Sequence, residues 1–147
     1  MQERFETFTV LINRISRDIR KIKNQEMADY HLRSVHVSCL YYIYSLGSVT
    51  SAELCEHCEE DKATISRAVD YLETNGFLLR DAGAKRYKSP LLLTEKGRDT
   101  GKRIAEKIDG VLETISHALT EEERIEFYRS LSTISRSLEA IVQNSEE

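Results

Sequence analysis

The apolar residues Phe5, Phe8, Ile12, Ile15, Ile19 and Ile22 recur at intervals of 3, 4, 3, 4 and 3. A helix places residues so spaced on one side, so the pattern predicts a long N-terminal helix with a single apolar stripe. The positions between are mostly polar, so one face seeks cover and the other faces water. The pattern returns near the other end. Ile104, Ile108, Val111, Ile115 and Leu119 mark the apolar side of a helix that Thr94 caps. Thr120-Glu121-Glu122-Glu123 reads as a capping box, S/T-x-x-E. It opens a last helix carrying Ile125, Tyr128, Leu131, Ile134, Leu138 and Ile141. At 147 residues, with one proline and six glycines, the chain is long enough for a core and mostly regular. Three such helices offer more apolar surface than the module between them needs. A partner, most simply a second copy of the chain, accounts for the surplus.

Composition narrows the class. The chain is 40% hydrophobic and 31% charged, which is globular. No apolar run approaches the roughly 18 residues of a membrane span, so no membrane association is expected. The opening MQERFETF lacks the basic start and apolar centre of a signal peptide. Three cysteines, an odd number, do not suggest a disulfide framework. The expectation is a cytoplasmic protein. There is no G-x-S-x-G, no phosphate-cradling glycine loop and no H-E-x-x-H, and the acidic runs lack a paired base or nucleophile. An enzyme is therefore not expected, nor is a cofactor.

The middle of the chain carries the functional signal. A helix is predicted from about Val35 to Leu46, with Val37, Leu40, Ile43 and Leu46 apolar and Gly47 as its C-cap. Tyr41, Tyr42 and Tyr44 crowd it; packing against neighbouring helices is the plain reading, an aromatic ligand pocket the alternative. Thr50 or Ser51 caps a short helix running through His57. Glu59-Glu60-Asp61 breaks it, and Asp61 caps a further helix from Lys62 to about Asn75, closed by Gly76. There Ile65, Val69 and Leu72 share one face. Ala63, Arg67 and Asp70 fall opposite, flanked by Thr64 and Ser66. Two short helices joined by a tight turn, the second presenting small and polar residues and one arginine, have the layout of a helix-turn-helix. Small residues let the backbone approach base edges, and arginine can bridge to guanine or phosphate.

The next stretch adds a hairpin. Phe77 to Arg80 and Leu91 to Leu93 read as short strands around a turn at Asp81 to Ala84. Lys85-Arg86-Tyr87-Lys88 is basic with one aromatic, and Pro90 belongs at a strand start or edge. A basic hairpin after a recognition-type helix is a wing, whose loop can reach the adjacent minor groove. Charge is unevenly placed. The chain carries a net charge of -4, yet Lys62 to Lys88 holds six bases against three acids, while Glu53 to Asp61 holds five acids and no base. A solvated surface is the bland reading of that patch.

The order helix, helix-turn-helix, wing and two long helices resembles the MarR family of winged helix-turn-helix transcriptional regulators. The motifs are AELCEHCEEDKATISRAVDYLETNGFLLR, LLLTEKGRDTGKRI and LTEEERIEFY, and the resemblance covers about residues 5 to 142. It implies a mainly α fold with a small β-hairpin wing, flanked by long dimerisation helices. It divides the chain into a dimerisation helix at 3–24, a winged helix-turn-helix at 33–94 and C-terminal dimerisation helices at 95–143. It implies a homodimer on double-stranded operator DNA, usually a repressor, released by a small-molecule effector or by cysteine oxidation. The effector pocket would lie between the dimer helices and the winged module, near the tyrosine-rich helix. Lys62, Thr64, Ser66 and Arg67 match recognition-helix contacts and Arg86 matches the wing arginine; Ala63 and Lys85 are expected at the DNA from the reading of the residues themselves. The family often has Asp-Arg at the wing tip, where this chain has Lys85-Arg86. The rival reading is a helical dimeric adaptor without sequence-specific DNA binding.

C-x-x-C at Cys55 and Cys58 is the one motif left over. These positions align with apolar places of the family, and free cysteine packs like a small hydrophobe. Redox sensing and metal binding are the alternatives. An i, i+3 disulfide needs helix distortion, and a zinc site needs about four ligands. Cys39 is expected in the core. His31, His36, His57 and His117 are scattered, and Glu113 with His117 reads as an i, i+4 surface pair.

Overall fold

The computed structural model describes residues 5–79 and 86–145. Among the described residues six α-helices carry the fold: α1 (Phe5–Glu26), α2 (Ser34–Leu46), α3 (Ser51–Cys58), α4 (Lys62–Thr74), α5 (Glu95–Ser116) and α6 (Glu121–Ser145). Two 3-10 turns, Ala28–Tyr30 and Arg86–Lys88, join them. The chain divides into two compact units, Met1–Ala105 and Glu106–Glu147, with the boundary inside α5.

Side chains at the helix ends explain where the helices begin. The Thr50 hydroxyl accepts from the Glu53 amide at 3.2 Å, and the Glu53 carboxylate accepts from the Thr50 amide at 2.8 Å. That reciprocal capping box starts α3. Asp61 starts α4 by accepting from the Thr64 amide at 2.7 Å. Thr120 and Glu123 form the expected box ahead of α6, with bonds of 2.8 and 3.2 Å. Gly47 takes φ +75° and returns its N–H to Ile43, closing α2 where a side chain would be strained.

The first unit holds the core. Leu40 and Ile43 of α2, Leu54 of α3, and Ile65 and Leu72 of α4 are 0–1% exposed, and Phe77 and Ile104 join them at 1%. Burying each such side chain contributes about 1.5–3 kcal/mol. The start of α5 fits through its glycines. A Cβ on Gly97 would come within 1.9 Å of the Phe77 carbonyl oxygen, and one on Gly101 within 2.8 Å of the Tyr44 Cβ. The Thr94 hydroxyl donates to the Gly76 carbonyl at 2.6 Å and accepts from the Gly97 amide at 3.0 Å. One side chain thus joins the end of the α4 turn to the start of α5.

The two expected strands are described only in part, since Arg80 lies outside the described residues. Among the described residues they reduce to isolated antiparallel bridges, Leu78 with Leu93 and Thr50 with Pro90. The Leu79 amide donates to Leu92 at 2.9 Å and the Thr94 amide to Phe77 at 3.1 Å, which forms the base of a hairpin. On the other edge of the same segment the Leu91 amide donates to Val49 at 2.8 Å, and Pro90 has no N–H to add. The expected turn from Asp81 to Ala84 and the basic residue Lys85 lie outside the described residues.

Candidate nucleic-acid interface

The turn between α3 and α4 is built by Glu59, which sits at φ +52° and returns its amide to the last turn of α3. From Asp61 onward the chain is helical again, with an inner and an outer face. Ile65, Ala68, Val69 and Leu72 are buried against the unit's core. Lys62, Ala63, Ser66 and Arg67 are exposed and Thr64 is half-buried. The five α4 residues singled out in the sequence therefore lie together on the outer side, toward the helix start.

Two contacts organise that face. Arg67 Nη2 donates to Thr64 Oγ1 at 3.4 Å, a long bond that draws the guanidinium toward the N-terminal turn. The Lys62 Nζ lies 4.4 Å from the centre of the Tyr87 ring, a cation–π approach. The Tyr87 hydroxyl in turn meets Cys55 Sγ at 3.5 Å. Tyr87 thus braces the base of the hairpin against both helices of the helix-turn-helix. Sequence reasoning noted it only as an aromatic in a basic run, and that interleaving was the one available signal. Arg86 opens the 3-10 turn that holds Tyr87.

Asp61 holds its carboxylate below the usual range, because it accepts hydrogen bonds from Thr64 and lies near Arg67. Behind the interface, His36 stacks on Tyr71 with ring centres 4.3 Å apart, and Tyr71 donates to the His31 carbonyl at 2.6 Å. Burial, helped by Arg33, lowers the His36 pKa. Tyr42 stacks on His57 at 5.1 Å and meets Tyr41 edge-on at 5.2 Å. The tyrosines therefore pack against neighbours. A cleft of about 660 Å³ lies elsewhere in this unit, lined by Arg20 and Lys23 of α1, Ser38 of α2 and Cys58 and Glu60 at the end of α3, among others.

The cysteines do not behave as the C-x-x-C spacing suggests. Cys55 meets Tyr87. Cys58 is half-buried, with its pKa lowered chiefly by Cys39 of α2, which is fully buried. Among the described residues no group of three or more His, Cys, Asp or Glu is disposed to hold a metal ion.

A helix-turn-helix followed at once by a paired hairpin base defines the winged-helix class of DNA-binding folds. Residues 32–86 match the model of the MarR family. An uncharacterised HTH-type transcriptional regulator of Bacillus subtilis, YwoH, is 28% identical over 85 residues; that match spans 58% of this chain and 62% of the relative's length. Two solved structures share the fold. A MarR family regulator of Neisseria meningitidis superposes with a TM-score of 0.82 at 18% identity, covering 98% of this chain and 99% of that one. MepR of S. aureus in complex with DNA gives 0.78 at 19% identity, covering 89% and 97%. Over residues 32–86 the chain is similar to the MarR family, and its fold is that of the MarR family regulator structure it superposes on.

Proposed function

We propose that this chain is a homodimeric, operator-binding transcription regulator, most simply a repressor in the cytoplasm whose hold on DNA an effector releases. The observation that carries the reading is the outer face of α4. It presents Lys62, Ala63, Thr64, Ser66 and Arg67 to solvent on a helix whose other face is locked into the core. In this reading Arg67 meets a base or phosphate in the major groove, the small neighbours let the backbone approach, and Lys62 contacts phosphate from its seat on Tyr87. Lys85 and Arg86 serve the wing. Residues 33–94 form the reading module.

Residues 3–24 and 95–143 are proposed to assemble the dimer. The support is exposure: Ile12, Ile15, Ile19 and Ile22 of α1 are 37–51% exposed, and Ile134, Leu138 and Ile141 of α6 are 38–61% exposed. Apolar faces of this kind bury themselves against a partner, and a two-fold dimer sets two recognition helices about 34–36 Å apart, one DNA turn. The MepR–DNA complex supports DNA as the ligand.

Selection of bound duplexes from a random pool tests the proposal. The expected result is a palindrome with half-sites one turn apart, whose affinity falls steeply with salt as counterions are released. Recovery of no preferred sequence at low salt would replace the proposal with the adaptor reading.

A further inference from the structure

We propose that His36 positions the recognition helix α4 only while its imidazole is uncharged, so that acidification loosens α4 and weakens the hold on DNA. The part that concerns DNA rests on the operator-binding reading; the joint itself does not.

The start of α2 carries the argument. His36 is the N3 residue of that helix, and its Nδ1 accepts from the Arg33 amide at 3.0 Å. Helix starts of this kind ordinarily use Glu or Gln at N3 to reach back to the same amide. α3 and α6 do so here, through Glu53 and Glu123. A carboxylate remains an acceptor throughout the neutral range. An imidazole nitrogen accepts only while it carries no proton, and its charge changes close to neutrality. With Nδ1 accepting, the one ring proton sits on Nε2. Of these three helix starts, α2 is the one closed by a group that titrates there.

The same ring holds α4. It stacks on Tyr71 with centres 4.3 Å apart and planes 16° from parallel. Tyr71 also donates its hydroxyl to the His31 carbonyl at 2.6 Å, in the turn that leads toward α2. Tyr71 stands one helical turn after Arg67, on the same flank of α4. Two contacts to the segment 31–36 therefore fix α4 just behind its reading face.

Charge decides what protonation does. The groups that face His36 are Arg33 at the head of its own helix, Tyr71 from α4 and the His31 carbonyl from the turn before α2. α1 contributes Asn24, which accepts from the neighbouring Ser34 amide at 2.7 Å and carries no charge. Burial first, and then the Arg33 cation, favour the neutral ring. The positive end of the α2 dipole favours it too. A proton on Nδ1 sets an N–H against the Arg33 N–H. A charged imidazole still attracts the face of a phenol, so the stack alone does not release. The clash at Arg33 releases it: the ring must turn away, and the Tyr71 stack goes with that turn. With its pKa lowered in the fold, His36 makes this contribution fully above the ordinary 6.5 and loses it as pH falls through the lowered value.

An amide-resonance titration of the isotope-labelled full-length chain from about pH 8 to about 4.5 tests the joint. Binding of the duplex recovered by selection, over the same range, tests its effect on DNA. Both are run on wild type and His36→Gln, since glutamine keeps an N3 acceptor and does not titrate. In wild type the Arg33 amide should move with the His36 ring, at a midpoint below 6.5. In His36→Gln it should stay put. Wild-type affinity should fall on acidification by up to about fivefold more than that of His36→Gln, the factor that one lost cap corresponds to. Tyr71→Leu, which offers no ring to hold, should share the shallow profile of His36→Gln. If His36→Gln does not fold, the wild-type amide titration and the Tyr71→Leu profile still decide. An Arg33 amide indifferent to the His36 titration, a His36 midpoint at or above 6.5, or equal affinity profiles for wild type and His36→Gln would overturn the proposal. A selection that recovers no duplex would count against the operator-binding reading instead, and the amide titration would then decide the joint.

Discussion

α4 and α6 carry similar apolar patterns to opposite ends. α4 has 13 residues and buries four of them, Ile65, Ala68, Val69 and Leu72. α6 has 25 residues and buries none, leaving Leu138 44% and Ile141 61% exposed. A 3–4 spacing states that a face needs cover. It does not state whether the cover comes from the same chain. In α4 the answer is local, since α2 and α3 pack against it, and the helix stands rigid while its other face stays open to a ligand. In α6 the same kind of stripe is left exposed, and under the proposed function a second copy covers it.

The largest effect that can break this contrast is a core truncation. Leu72→Ala should cost about 2–5 kcal/mol of folding free energy, read as a shift in the urea midpoint. Leu138→Ala should cost far less in dilute protein and should instead raise the concentration at which the dimer forms, read by sedimentation. Equal losses for the two at low concentration would mean that α6 is covered within its own protomer. Next in size is the open face of α4. Arg67→Ala should weaken operator binding by about 1–3 kcal/mol and relax the sequence preference, while the urea midpoint stays put. Binding at wild-type strength would mean that a different part of α4 meets the bases.

The smallest effect sharpens the comparison from the helix starts. Asp61 and Glu123 cap α4 and α6, and backbone hydrogen bonds from Thr64 and Thr120 hold their pKa values below the ordinary 3.8 and 4.5. A carboxylate lowered in the fold contributes its stabilisation fully above its ordinary value and loses it as pH falls through the lowered one. The stability difference between wild type and Asp61→Ala should therefore be constant from neutral pH to about 5 and shrink below 4. The same titration of Glu123→Ala should follow a similar course. A difference that grows on acidification would show that the caps act through something other than their charge.

Which parts of this were legible in the sequence follows from range. Helix starts were legible because Thr50, Asp61 and Thr120 each find their partner three residues away. The inner face of α4 was legible because it is a period. The hairpin was only partly so: Pro90 signalled a strand start or edge, but nothing local says that the Leu91 amide pairs with Val49, which lies before α3 in the chain. Tyr87 against Lys62 and Cys55 was not legible, since its meaning depends on where the chain returns. Nor was the company of Cys58. The nearest cysteine in sequence is Cys55, and the one that chiefly lowers its pKa is Cys39 on another helix.

The Thr120–Glu123 box also bears on how the chain assembles in time. It is closed by side chains and amides within four residues, so it needs no distant segment to be in place. Helices of this length relax within about a microsecond, far faster than residues are added during synthesis. The start of α6 can therefore be set on the nascent chain as it emerges, before any second copy arrives. Under the proposed function, dimer assembly then becomes the meeting of preformed surfaces, and its rate should follow protein concentration rather than helix formation.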